Sequence, residues 1–189
     1  MNLYADFEFT GLHQYTTPVS LGIVADNGKE FYCEFSDFSQ GQIDHQPDNF
    51  IQEHVIDNLI FNDKFNFGMQ TTGDTSFIKG TFLEISKALR EWLKQFKRVE
   101  FYFDTGFYDG VLMNELLGGA HDLPDNVNYI FLDIAPLFKV HGIDPDISRE
   151  AFIDTPIKGN KHSALYDAKV IQACYEKLRR NRDKYGNML

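Results

Sequence analysis

The residues of this chain best suited to chemistry stand near its two ends. The first stretch reads Tyr4-Ala5-Asp6-Phe7-Glu8-Phe9-Thr10-Gly11-Leu12, and the second reads His162-Ser163-Ala164-Leu165-Tyr166-Asp167. Between them they hold the carboxylates of Asp6, Glu8 and Asp167 and the imidazole of His162. A further acid from the middle of the chain, Asp109 or Asp104, would add a fourth carboxylate. Mg²⁺ prefers oxygen ligands and keeps several waters, so a site for it needs only a few carboxylates. Two such ions about 4 Å apart can activate a water and stabilise the leaving oxygen in phosphodiester hydrolysis. A histidine titrating near neutrality can take the proton from that water.

The elements must bring these groups together. Residues 2–10 alternate as a strand, with Leu3, Ala5, Phe7 and Phe9 on one face and Tyr4, Asp6, Glu8 and Thr10 on the other. Side chains two apart share a face, so Asp6 and Glu8 lie side by side. Residues 18–26 and 29–35 read as two more strands joined by Asn27-Gly28, a good hairpin signal. Helical patterns follow at 49–60 and 81–97, the latter opened by Thr81-x-x-Glu84 as a capping box. Residues 99–103 read as a strand, and 109–117 as a short helix stopped by Gly118-Gly119. Residues 128–133 read as a fifth strand followed by a short helix, and 163–180 as a long amphipathic helix before a basic tail. Stretches 36–48 and 62–80 read as polar loops. The expectation is one α/β domain over 1–189: a five-stranded mixed sheet, its first three strands antiparallel, flanked by helices.

Asp167 falls in the first turns of the last helix and reaches Asp6 only if that helix packs across the first strand. His162 lies five residues before Asp167, a spacing that shares no helical face, so a loop position is expected. Either Asp104 or Asp109 could instead cap a helix, because acids favour helix N-termini. Leu12 could be core, and Lys158 and Lys161 could be solvated or could meet phosphate.

Composition narrows the class. At 189 residues and 43% hydrophobic, the chain can bury one sizeable core and is short for two domains. A net charge of −10 argues against a protein that holds nucleic acid by bulk electrostatics. It leaves room for a nuclease, because bound metal inverts the field of clustered carboxylates. No apolar run approaches the roughly 18 residues of a membrane span. The opening MNLYADFE has neither a basic nor an apolar segment, so no signal peptide is expected. Cys33 and Cys174 fit no metal spacing and read as reduced, partly buried thiols of a cytoplasmic protein.

With these residues in view, the chain resembles the DEDDh 3′–5′ exonuclease superfamily, the group of proofreading exonucleases, RNase T and oligoribonuclease. The resemblance rests on Asp6-Phe7-Glu8 with Thr10-Gly11-Leu12, on Tyr108-Asp109, and on His162-x-Ala164-x-x-Asp167. Each motif alone is common; the ordered set, spanning nearly the whole chain, is specific. Gly106-Phe107-Tyr108-Asp109 and the small size look like the small bacterial and phage exoribonuclease-like branch. The resemblance implies an RNase H-like fold with the fourth strand parallel to the first. It implies that Asp6, Glu8, Asp109 and Asp167 bind two Mg²⁺ ions, with Mn²⁺ able to substitute, and that His162 is the general base. It places Phe7, Thr10, Gly11, Leu12 and Lys161 around the terminal nucleotide of a single-stranded RNA or DNA 3′ end. It also implies nucleoside 5′-monophosphate products and allows a homodimer. Asp104 and Thr105 stand where the superfamily often has Asn or His, which leaves an accessory role open for Asp104.

Overall fold

Strand β1 (Asn2–Phe9) is the axis of the molecule, and the alternation read from its sequence is the alternation observed. A computed structural model describes residues 1–61 and 66–181. The basic tail lies outside the described residues, as does part of the stretch 62–80. β1 pairs antiparallel with β2 (Pro18–Ala25), which pairs antiparallel with β3 (Glu30–Phe35). Gly28 closes the β2–β3 turn with φ +83°, a conformation glycine adopts without a Cβ penalty. On its other side β1 pairs parallel with β6 (Glu100–Phe103), and β6 pairs parallel with β7 (Leu132–Asp133).

The sheet has seven strands rather than five, in the order β4-β5-β3-β2-β1-β6-β7. The extra pair, β4 (Phe67–Thr72) and β5 (Thr75–Gly80), forms where a polar loop is expected. β5 pairs parallel with β3, and β4 is the outer edge. β4 buries none of its residues, and β5 buries Ser76, Ile78 and Gly80, an alternating set with one large apolar member, so neither carries the apolar alternation that marks a strand in sequence. Residues 128–133 give only the two-residue β7. The Asn128 side chain accepts the backbone N–H of Ile130 at 3.1 Å, a local turn that lifts Tyr129 and Ile130 out to solvent.

The helices fall on both faces. α1 (Gln40–Asp44) interrupts the expected loop 36–48. The pattern at 49–60 resolves into α2 (Phe50–His54) and a 3₁₀ turn at Ile56–Asn58. α3 (Phe82–Leu93) starts with the full Thr81–Glu84 capping box. Its end is fixed by Asn126, whose amide donates to the carbonyls of Leu93 and Phe96. α4 (Phe107–Leu116), α5 (Ala135–Val140), α6 (Arg149–Phe152) and α7 (Ala164–Arg180) complete the chain. One face of the sheet joins Leu3, Ala5 and Phe7 to Ile85 and Leu89 of α3 and Leu112 and Met113 of α4. The other joins Tyr4 and Tyr102 to Val170, Ile171 and Cys174 of α7. Cys33 and Cys174 are buried and unbridged. Among the described residues no helix is long and apolar enough to cross a membrane.

Candidate active site

α7 reaches β1 because β2 lets it through. Gly22 stands opposite Asp6 in the β1–β2 register. A Cβ added at Gly22 would overlap the backbone of Ala164 and Leu165 at the start of α7. Ala164 and Ala168, both fully buried, keep the helix side of this contact equally thin. Two backbones in near contact set the depth of the helix, and that depth carries Asp167 to the sheet.

The result is a compact acidic group. Oxygens of Asp6, Glu8 and Asp167 lie within 4.8 Å of one another, a set that could hold a metal ion. Asp109 approaches from α4 and is 7% exposed. One of its oxygens accepts the backbone N–H of Phe7 at 2.8 Å, which fixes it against β1 between Asp6 and Glu8. Asp109 sits inside the first turn of α4, not at its cap. The loop before α4 is tied down by Asp133, which accepts the N–H groups of Thr105, Gly106 and Ala135.

Crowding and burial push these acids toward their protonated form. Glu8 is pushed up to about 8, first by burial and then by Asp167 and Asp109. Asp6 is raised well above the carboxylate range by burial and then by Glu8 and Asp109. Asp109 and Asp167 are each raised to about 7, chiefly by burial, against the lowering pull of their backbone N–H donors. Like charges crowded into one small volume cannot all ionise without a neutralising charge nearby.

His162 lies in the turn before α7, as its spacing from Asp167 requires. Its backbone is left-handed at φ +64°, unusual for a residue with a side chain. Its N–H donates to Asp167 Oδ2 at 2.8 Å, so the acid that joins the cluster also fixes the histidine's backbone. The ring meets Phe50 edge-on, with centroids 5.1 Å apart, and lies 5.9 Å from the His54 ring. Burial, then the positive charges of Lys161 and His54, lower its pKa. The lowered pKa favours the neutral imidazole, the form able to accept a proton.

Asp104 has a different partner. Arg149 Nε and Nη2 hold its two oxygens at 2.7 and 2.8 Å, a bidentate pair. The same guanidinium donates to the carbonyls of Ile147 and Pro145 and stands 4.4 Å from the centre of the Phe138 ring. Asp104 thus anchors the segment before α6, while Asp109 holds the inner place.

A cleft of about 740 Å³ opens over these groups. Leu12 lines it and is 77% exposed, so it is a rim residue and not core. Gly11 and Lys161 line it too, whereas Lys158 is exposed and stands outside the lining. Thr10 does not face the cleft. It is fully buried, and its hydroxyl contacts Thr17 and Gln42, which closes the loop after β1. Phe7 borders the cleft, but its side chain is in the core and its N–H is taken by Asp109. Two wall residues were given no role by the motif reading: Phe107, 78% exposed, which figures in it only as part of Gly106-Phe107-Tyr108-Asp109, and Phe50. An aromatic at a helix start beside Gly106 was the only sequence sign of Phe107. No family model matches this chain, and no curated protein matches it.

Proposed function

We propose that this protein is a two-metal-ion 3′–5′ exonuclease that hydrolyses single-stranded nucleic acid, RNA in preference to DNA, and releases nucleoside 5′-monophosphates. The observation that carries this reading is the meeting of Asp6, Glu8 and Asp167 within 4.8 Å, from opposite ends of the chain. Carboxylate oxygens in that number suit a small hard cation, Mg²⁺ or in its place Mn²⁺. Asp6, Glu8 and Asp167 would hold one ion, and Asp109 with Asp6 would serve the second. What the bound ions supply is positive charge at the attacking and leaving oxygens.

The chain's own residues do the rest. His162, neutral and held at the cleft by Asp167, Phe50 and His54, takes the proton of the attacking water at an imidazole nitrogen. Leu12 and Phe107, apolar and open to the cleft, offer surfaces to unstacked bases, which favours a single strand over a duplex. The order β3-β2-β1-β6-β7, antiparallel then parallel, supports an RNase H-like core to which the β4–β5 hairpin is added at one edge. The preference for RNA rests on the resemblance of the motifs.

The test is a gel assay on 5′-labelled single-stranded RNA and matched DNA with Mg²⁺, with Mn²⁺ and with EDTA, beside Asp6→Ala. The expected result is a metal-dependent ladder shortening from the 3′ end, absent in the variant, with RNA the faster substrate. No cleavage of either substrate under either metal would replace this reading with an inactive exonuclease-like binding module.

A further inference from the structure

We propose that Glu34 and Lys79, an ion pair outside the cleft, are positioning residues that hold the imidazole of His162 through the strap 46–61; the effect on rate rests on the nuclease reading. The backbone of His162 is fixed by Asp167, but the direction of its ring is set by what it packs against. That is α2, whose Phe50 and His54 lie one helical turn apart with ring centroids separated by 4.6 Å. α2 buries none of its own residues, so its place depends on the chain at its two ends. Before it, the Gln46 amide donates to the Thr10 carbonyl at 2.7 Å. After it, Val55 is buried, and backbone N–H groups of Val55, Asn58 and Leu59 donate in turn to Ile51, Val55 and Ile56. This bonded run carries a shift at the far end of the strap back to Phe50.

The far end is a clasp on Phe61. Its N–H donates to Glu34 Oε1 at 2.9 Å, and its carbonyl accepts from Lys79 Nζ at 2.9 Å. Glu34 and Lys79 stand side by side in the β3–β5 register, with Lys79 Nζ 3.4 Å from Glu34 Oε2. The Tyr32 hydroxyl also donates to Glu34 Oε1, and the rings of Tyr32, Phe67 and Phe77 pack on that of Phe61. Glu34 is fully buried. A carboxylate taken out of water is costly, and an apolar pair of similar volume holds two strands together as well. What the ion pair adds is a grip on both polar backbone groups of one residue, in one orientation. Neither Glu34, Phe61 nor Lys79 lines the cleft, so they act on the reaction only through the strap. The added strand β5 supplies Lys79, which gives the β4–β5 hairpin a part in the site.

The experiment combines Lys79→Met with Glu34→Gln, so that no buried charge is left unpaired and an oxygen at position 34 still accepts from Phe61. On single-stranded RNA with Mg²⁺, kcat per folded molecule should fall about tenfold to 10²-fold with KM unchanged. Added to His162→Ala, the same pair of changes should cost nothing further, because both act through one imidazole. Lys79→Arg, which keeps a donor for the Phe61 carbonyl, should keep kcat. An unchanged kcat, or an equal loss with and without His162, overturns the proposal. A second arm needs no turnover. The proton NMR signals of the His162 ring, identified by their loss in His162→Ala, are displaced by the ring field of Phe50. In the Lys79→Met, Glu34→Gln chain they should move in the direction that Phe50→Leu moves them; unmoved signals overturn the proposal whatever the activity. If the unaltered chain hydrolyses no nucleic acid, the nuclease reading falls and the ring signals alone decide the clasp.

Discussion

The two faces of β1 differ by one residue step and by everything that follows from it. Leu3, Ala5 and Phe7 point into an apolar core built with α3 and α4. Tyr4, Asp6 and Glu8 point at α7, where apolar packing stops at Tyr4 and gives way to like-charged acids. The first face stabilises the fold, since each buried Leu or Phe contributes about 1.5–3 kcal/mol. The second spends part of that stability, because gathering carboxylates out of water is unfavourable without a counter-ion. A strand can serve both ends because its side-chain period is two. The same substitution should therefore have opposite consequences on the two faces.

The sharpest separation comes from the acids. Asp6→Ala, Glu8→Ala or Asp167→Ala should abolish turnover while the melting temperature holds or rises, whereas Leu89→Ala on the other face should cost about 2–5 kcal/mol and leave turnover per folded molecule intact. Normal activity in any one acid variant would end the assignment. His162→Ala comes next, with an expected loss of about 10²–10⁴-fold in rate. A loss of only a few-fold would put water activation elsewhere.

Gly22→Ala would blur the comparison, because it strikes the spacing that the polar face depends on. A methyl group there meets the backbone of α7. Overpacking of that kind costs about 1–3 kcal/mol. Moving Asp167 by about 1 Å would cost about 10²-fold in turnover. Full activity with unchanged stability would show that the helix can retreat without harm. Asp104→Asn tests the edge of the acidic group. It should cost about 1.5–3 kcal/mol of stability by loosening Arg149 and less turnover than Asp109→Asn; the reverse ranking would exchange their roles.

The smallest effect is on pH dependence. The four acids titrate higher in the folded chain than in the unfolded one, with Asp109 and Asp167 at about 7 and Glu8 at about 8. The folded chain therefore binds more protons across the interval from the ordinary carboxylate range up to those values. Stability from these groups falls as pH rises through it. Melting curves from pH 5 to pH 8 without metal should decline through this interval, and added Mg²⁺ should reverse the decline by replacing protons. A slope unchanged in Asp6→Asn would assign the decline to other groups.

How much of this was legible in the sequence follows the same division. Alternation marked β1, the Asn27-Gly28 turn marked β2 and β3, and a short apolar run marked β6, so these strands were readable, as were α3 with its capping box and α7. β4 and β5 were not, because a hairpin whose buried residues are Ser76, Ile78 and Gly80 carries one apolar position and no apolar rhythm. Asp6, Glu8, His162 and Asp167 were readable as a pattern of types and spacings. Their convergence was not, since it depends on Gly22, whose reason for being glycine lies in a helix far along the chain. The Asp104–Arg149 pair spans 45 residues and leaves no local trace. Thr10, singled out by its neighbours in the motif, proved to be a loop fastener.

The dependence of the acidic group on α7 also sets a time. Asp6 and Glu8 leave the ribosome long before Asp167, and the β1–β2–β3 meander can pair without the last helix. Until α7 is released and docks over Gly22, the nascent chain holds two of the three acids of the cluster and lacks His162. On the nuclease reading, completion of the fold and completion of the site would then coincide late, and a chain still being translated beside its own messenger would be harmless to it.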